Sequence, residues 1–274
     1  MFDSCVPWLR SVEVPVAPRG ATGFPFELPV VRAGLRLQLE SQIIFFAGEN
    51  GTGKSTLLEA LALACALPTM GAHEAEHYPT LNSVGRLAQT LRLGWKRRTQ
   101  QGFFFRAEDF FGFQNRVAGL KRDLLVQIAS YEDELGDNTE ANAAILRAIG
   151  FLRGQIHALD ARYGEDPDAR SHGEAFLNAF RARIAAPGLY LLDEPEAALS
   201  PLRQMAFLKL VKDAVEAGSQ FVIATHSPLL LRMDGACILD FDSVSPCLCA
   251  WEDLASVRLW SAFWNSPDAF LRRL

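Results

Sequence analysis

The chain has 274 residues, 49% of them hydrophobic and 22% charged, which is enough to bury a substantial core and excludes both a disulfide-stapled mini-protein and wholesale disorder. A net charge of −5 gives no global attraction to nucleic acid, so any basic patch has to be local. Five irregularly spaced cysteines, an N-terminus interrupted by Asp3, Pro7 and Arg10, and no apolar run near the roughly 20 residues of a bilayer crossing lead to the expectation of a cytoplasmic protein without membrane insertion.

Over the first 47 residues apolar and polar positions alternate between Pro and Gly, which predicts strands at Trp8 to Val16, Phe26 to Val31, Leu35 to Leu39 and Ile43 to Ala47. The last is apolar throughout, as suits a strand covered on both faces, and it runs into Gly48 and a helix carrying Leu57, Leu58, Leu61 and Leu63. From Pro68 to Asp168 follow broken loops, an aromatic strand-like run from Gly102 to Phe111, and two stretches of helical period. The first holds Val117, Leu120, Leu124, Ile128 and Tyr131; the second holds Ile145, Leu146, Ile149, Leu152, Ile156 and Leu159. The simplest arrangement is one α/β domain over 1–274 with a helical insertion over 70–168, its helices of about 20 residues reaching roughly 30 Å. Two more buried strands, Leu189 to Leu192 and Phe221 to Ala224, complete the core.

Gly48-Glu49-Asn50-Gly51-Thr52-Gly53-Lys54-Ser55-Thr56 has the phosphate-loop pattern between a buried strand and a helix. Its glycines let successive N–H groups of the loop, including Asn50, Gly51, Thr52 and Gly53, turn toward an anion, at which the helix also aims its positive end. Lys54 then meets the β- and γ-phosphates, and the Ser55 hydroxyl ligates Mg²⁺. The strand Leu189 to Leu192 delivers Asp193 and Glu194 at its C-terminal end, the edge of a parallel sheet where a phosphate loop lies. Asp193 is placed to hold Mg²⁺ through water and Glu194 to polarise a water that attacks the γ-phosphate. The next strand ends Thr225-His226-Ser227, which brings His226 to the same edge as a γ-phosphate contact.

Three other patterns are read as structural. His73-Glu74-Ala75-Glu76-His77 satisfies a zinc-protease expression, but Pro68, Gly71 and Pro79 leave about two helical turns and no third ligand follows. Cys247 and Cys249, with Leu248 between them, read as free cysteines rather than a shared metal site. Lys96, Arg97 and Arg98, with Arg86, Arg92 and Arg106, form a basic cluster in the insertion, which reads as a solvated face or as a nucleic-acid or acidic-partner surface.

Taken together, these motifs resemble the ABC-type ATPase superfamily, especially its soluble SMC, Rad50 and RecF-like branch. Ile43 to Thr56 is similar to its Walker A, Leu189 to Glu194 to its Walker B with the catalytic Glu, Ala198-Leu199-Ser200-Pro201 to its D-loop, and His226 to its switch histidine. Ser171-His172-Gly173-Glu174, 22 residues before Asp193, resembles a degenerate signature in which His172 and Glu174 replace the usual Gly and Gln. The phrases Gly102 to Glu108 and Ser171 to Glu174 also resemble a group of small bacterial AAA/ABC-type ATPases. The resemblance implies a P-loop NTPase of the ABC-ATPase head type, with a mixed central sheet flanked by helices. It implies ATP and Mg²⁺ as cofactors, and a head-to-tail homodimer in which Ser171 and Gly173 reach the partner's γ-phosphate. The choice of ATP over GTP rests on this resemblance, since a phosphate loop ignores the base. Gln100, Gln101, Glu108 and Gln114 all flank the aromatic strand, so the Q-loop ligand stays open, as does the adenine contact. The expected function is a soluble Mg-dependent ATPase acting on a nucleic-acid or protein partner. Its alternatives are the nucleotide-binding subunit of an ABC transporter and an ATP-binding regulatory switch.

Overall fold

The computed structural model describes residues 8–17, 23–70, 79–135, 139–163, 172–184, 187–243 and 245–272, which fall into two compact units, 1–107 with 186–274 and 108–185. In the first unit β1 (Leu9–Val14), β2 (Leu35–Gln38) and β4 (Arg92–Trp95) form an antiparallel sheet in the order β2-β1-β4. The central sheet holds β3 (Ile43–Ala47), β5 (Gly102–Arg106), β6 (Leu189–Asp193), β7 (Gln220–Ala224), β8 (Cys237–Asp240) and β9 (Cys247–Leu248), in the order β5-β6-β7-β3-β8-β9. Its pairs are parallel except β8 with β9, so the sheet is mixed, as expected. Strands β3, β6 and β7 are buried at every residue, whereas β2 alternates buried with exposed; the difference is that between strands covered on two faces and on one.

Helices α1 (Pro29–Arg32), α2 (Lys54–Ala64) and α3 (Pro79–Thr90) precede β4. The segment Phe26 to Val31 is not the strand its alternation predicts. Pro29 supplies the first residue of α1, where its missing N–H costs nothing, and Phe26, Val30 and Val31 are buried from that helix and the turn before it. Helix α2 packs against α3 and against β5, β6 and β7. One hydrophobic core therefore joins Leu57, Leu58 and Leu61 to residues of both sheets. Gln220, fully buried, joins the sheets by polar contacts: its amide nitrogen donates to the carbonyls of Leu9 (2.9 Å), Leu39 and Ser41 (both 3.2 Å), and its oxygen accepts the Leu9 N–H at 2.8 Å.

The second unit contains α5 (Thr139–Tyr163), α6 (His172–Arg183) and all but the first residue of α4 (Ala107–Asp133). Helices α4 and α5 have 27 and 25 residues, about 40 Å each at 1.5 Å per residue and longer than the periodic stretches alone predict. They meet through Leu124, Ile128, Tyr131, Ile145, Ile149, Leu152 and Ile156. The unit starts later than the expected 70–168, because β4 pairs with β1 and β5 pairs with β6, which ties 79–106 to the sheets. The aromatic run is likewise a strand only as far as Arg106, and helix begins at Ala107.

In the first unit, α7 (Pro201–Glu216) follows β6, α8 (Pro228–Leu231) follows β7, and α9 (Ala255–Asn265) and α10 (Pro267–Leu271) close the described chain. Among the described residues no helix is long and apolar enough to cross a membrane. The expected basic cluster is corrected here. Lys96 to Arg98 follow β4 in the first unit, the Arg97 guanidinium lies 5.1 Å over the Trp8 ring, and Arg92 pairs with Glu13 at 3.0 Å. Arg106 is withdrawn from any surface cluster into a buried ion pair. The His73 to His77 pattern lies outside the described residues.

Candidate functional site

The site grows from the C-terminal edge of β3. After Ala47 the backbone turns into the loop 48–53 and then into α2, whose N-cap is Gly53 with φ 96°. A side chain there is excluded twice, by the left-handed backbone and because a Cβ would stand 2.8 Å from Val30 Cγ1. Gly48, at φ 135°, is pinned in the same way beneath Asp242, whose Oδ1 would lie 2.9 Å from a Cβ and which accepts the Glu49 N–H at 2.6 Å. Asn50 and Gly51 form the exposed tip, and the Thr52 hydroxyl donates to the Glu49 carbonyl at 2.9 Å. Thr56 sits in the first turn of α2.

Lys54 opens α2 and folds back into this loop, its Nζ donating to the carbonyls of Gly48 (2.7 Å) and Glu49 (2.8 Å). Burial lowers its pKa, against the opposing pull of Glu194, Asp193, Asp242 and Glu49. One residue on, the Ser55 hydroxyl donates to Asp193 Oδ1 at 3.0 Å, so the two expected metal-holding groups meet across α2 and β6. On its other side Asp193 faces Arg106, its register partner on β5, with Nε 3.9 Å from Oδ2. Arg106 in turn holds the buried Glu59 of α2 at 2.7 Å.

Burial raises the Asp193 pKa to about 7, although the Ser55 hydrogen bond and Arg106 pull it down. The carboxyl titrates near 4 in an unfolded chain, so between about pH 4 and 7 the native protein holds the extra proton and stability falls as pH rises. The metal-free Asp193→Asn variant should therefore melt on the order of 5 °C above wild type at pH 8 and level with it near pH 4. Equal shifts at the two pH values, read by calorimetry, would contradict the assignment.

Glu194 has φ 49°, a left-handed conformation that costs a non-glycine residue on the order of 1 kcal/mol. Its N–H donates to the Ala224 carbonyl at 2.9 Å. The side chain, 45% exposed, stands with Oε1 3.7 Å from His226 Nε2, beyond hydrogen-bond distance. Thus the structure brings Lys54, Ser55, Asp193, Glu194 and His226 to one edge of the sheet. Gly173 lies in the first turn of α6, in the other unit, and Ser171 lies outside the described residues.

Residues 71–232, more than half of the chain, match the family described as "AAA domain, putative AbiEii toxin, Type IV TA system". The hemin import ATP-binding protein HmuV of Pseudomonas fluorescens (strain Pf0-1) is 31% identical over 210 residues, which cover 72% of this chain and 71% of that one. The chain belongs to the AAA/ABC-type ATPase family. The ABC multidrug transporter atrC of Emericella nidulans is 26% identical over 207 residues; the match takes in 72% of this ATPase, which spans about 15% of the transporter's length. The Smc head domain of Pyrococcus furiosus, solved with an extended coiled coil and bound to the C-terminal domain of ScpA, superposes with a TM-score of 0.46 at 13% identity, covering 94% of this chain and 99% of that one.

The residues of this ATP-binding domain fit ATP with Mg²⁺. The buried Lys54 ammonium waits in the loop's mouth, and beside it stand a hydroxyl and a carboxylate oxygen, the hard donors that magnesium takes together with substrate phosphates. Reading the sequence missed Arg106, Glu59, Asp242 and Glu196, whose Oε1 accepts the His226 N–H at 2.6 Å. Glu59 stood four residues after Ser55, on the same helix face, and Glu196 two residues after Glu194, so both carried a local signal. Asp242 carried none.

Proposed function

We propose that this ATPase binds ATP and hydrolyses it, with Mg²⁺, in a head-to-tail homodimer, and couples that cycle to a nucleic-acid or protein partner. The observation that carries the reading is the placement of Glu194, half exposed beside Ser55-paired Asp193 and facing His226. Lys54 leaves the Gly48 and Glu49 carbonyls for the β- and γ-phosphates. Glu194 orients a water and takes its proton, and His226 contacts the γ-phosphate. Bound at Ser55 and Asp193, Mg²⁺ supplies charge neutralisation for the phosphates. Each site is completed by Ser171 and the Gly173 N–H of the other copy. Likeness to HmuV supports a second reading as the nucleotide-binding subunit of a transporter.

The test is the solution mass of Glu194→Gln by light scattering, with Mg²⁺. Addition of ATP should double the 30.3 kDa mass, and a further Ser171→Arg substitution should abolish the doubling while ATP is still bound. A mass that stays at 30.3 kDa in Glu194→Gln, despite bound ATP, overturns the homodimer. Co-purification with a membrane protein would favour the transporter reading.

A further inference from the structure

Two residues beyond Glu194, a third carboxylate lies in the short 3-10 helix Pro195–Ala198. Glu196 turns inward rather than toward solvent, and burial raises its pKa. Its Oε1 accepts the backbone N–H of His226 at 2.6 Å, and the hydroxyl of the fully buried Thr225 works against that burial by favouring the charged carboxylate. The Thr225 hydroxyl also accepts the Ser227 N–H at 3.0 Å, while the Glu194 N–H donates to the Ala224 carbonyl at 2.9 Å. The turn after β6 is thus fastened to Ala224, the last residue of β7 to pair with β6, and to His226 two residues beyond it.

A buried carboxylate is a poor stabiliser, because desolvation offsets most of what its hydrogen bonds contribute. Its geometric effect is specific, however. Two polar atoms here are buried without a hydrogen-bond partner, Glu196 Oε2 and His226 Nε2, and the imidazole stands 3.7 Å from Glu194. The main chain of His226 is held by Glu196 while its side chain is left uncommitted, so the imidazole keeps its place without spending its own donor or acceptor. We propose that Glu196 is a positioning residue for hydrolysis, one that sets the gap between Glu194 and His226 through the backbone of His226. This rests on the reading above, in which Glu194 and His226 serve the γ-phosphate.

The experiment compares full-length wild type with Glu196→Ala, Glu196→Gln, Thr225→Val and Glu194→Gln, measuring kcat and KM for ATP with Mg²⁺, ATP affinity by calorimetry, and Tm. A displacement of about 1 Å at reacting groups costs about 100-fold in rate, so Glu196→Ala should lose about that much kcat while KM and affinity stay within about 3-fold. Glu196→Gln keeps an oxygen able to accept the His226 N–H and should recover at least about 10-fold of the loss. Unchanged kcat in Glu196→Ala, a parallel loss of affinity and kcat, or no recovery with glutamine overturns the proposal. If Glu196→Ala does not fold, Thr225→Val decides: a drop in kcat of about 3-fold or more at unchanged affinity supports the role, and wild-type kcat ends it. Inactive Glu194→Gln beside fully active Glu196→Ala defeats this inference alone. Full turnover by Glu194→Gln, or none by wild type, removes the underlying reading and the inference with it.

Discussion

Lys54→Ala should weaken ATP binding by at least about 100-fold, measured by calorimetry in the presence of Mg²⁺. The ammonium is buried in the mouth of the loop, bonded to the carbonyls of Gly48 and Glu49, and burial lowers its pKa against the pull of Glu194, Asp193, Asp242 and Glu49. Phosphate oxygens are stronger acceptors than carbonyls, and loss of a charge-assisted contact in a partly desolvated site costs about 3 kcal/mol, which is the stated factor. The fold should tolerate the change. Removal of the side chain releases two main-chain carbonyls beside an open, solvated loop, so Tm should stay within a few degrees of wild type. Unchanged affinity would mean that the anion is held elsewhere and would remove the phosphate loop from the site.

The parts of this site legible in the sequence are those that a short stretch of chain determines by itself. An apolar run, a glycine turn and a helix carrying Lys54 and Ser55 form a contiguous unit, and the strand that ends in Asp193 is apolar at each earlier residue. Both strands read as buried on two faces, and both are. Asp242 shows where such reading stops. It fixes Glu49 across 193 residues of sequence, because β8 lies beside β3, and no periodicity records which strand will be a neighbour. Gln220 is the same case: its contacts with Leu9 span 211 residues. A buried glutamine at a strand start reads as an ordinary polar end until the second sheet is placed against it.

Arg106 shows a different limit. In sequence it stands among other basic residues, and charge pattern alone assigns it to a surface. The strand β5 carries it to the register position of Asp193, where two buried carboxylates, Glu59 and Asp193, flank it. The short helix α1 marks a third limit, since apolar alternation over six residues fits a strand and a prolyl turn equally until the fixed φ of Pro29 is weighed.

Glu194→Gln should lower ATP turnover by at least about 100-fold and leave ATP affinity within about 3-fold of wild type. The side chain is 45% exposed and stands 3.7 Å from His226 Nε2. Glutamine preserves its size and can still orient a water, but it cannot take the proton, and general-base contributions run from about 100- to 10,000-fold. The left-handed backbone at residue 194 is held by the hydrogen bond from its N–H to the Ala224 carbonyl, which the substitution does not touch. Fold and nucleotide binding should therefore survive while the chemical step fails. Affinity and turnover falling together would instead make Glu194 a binding residue, and the proton acceptor would have to be sought at His226.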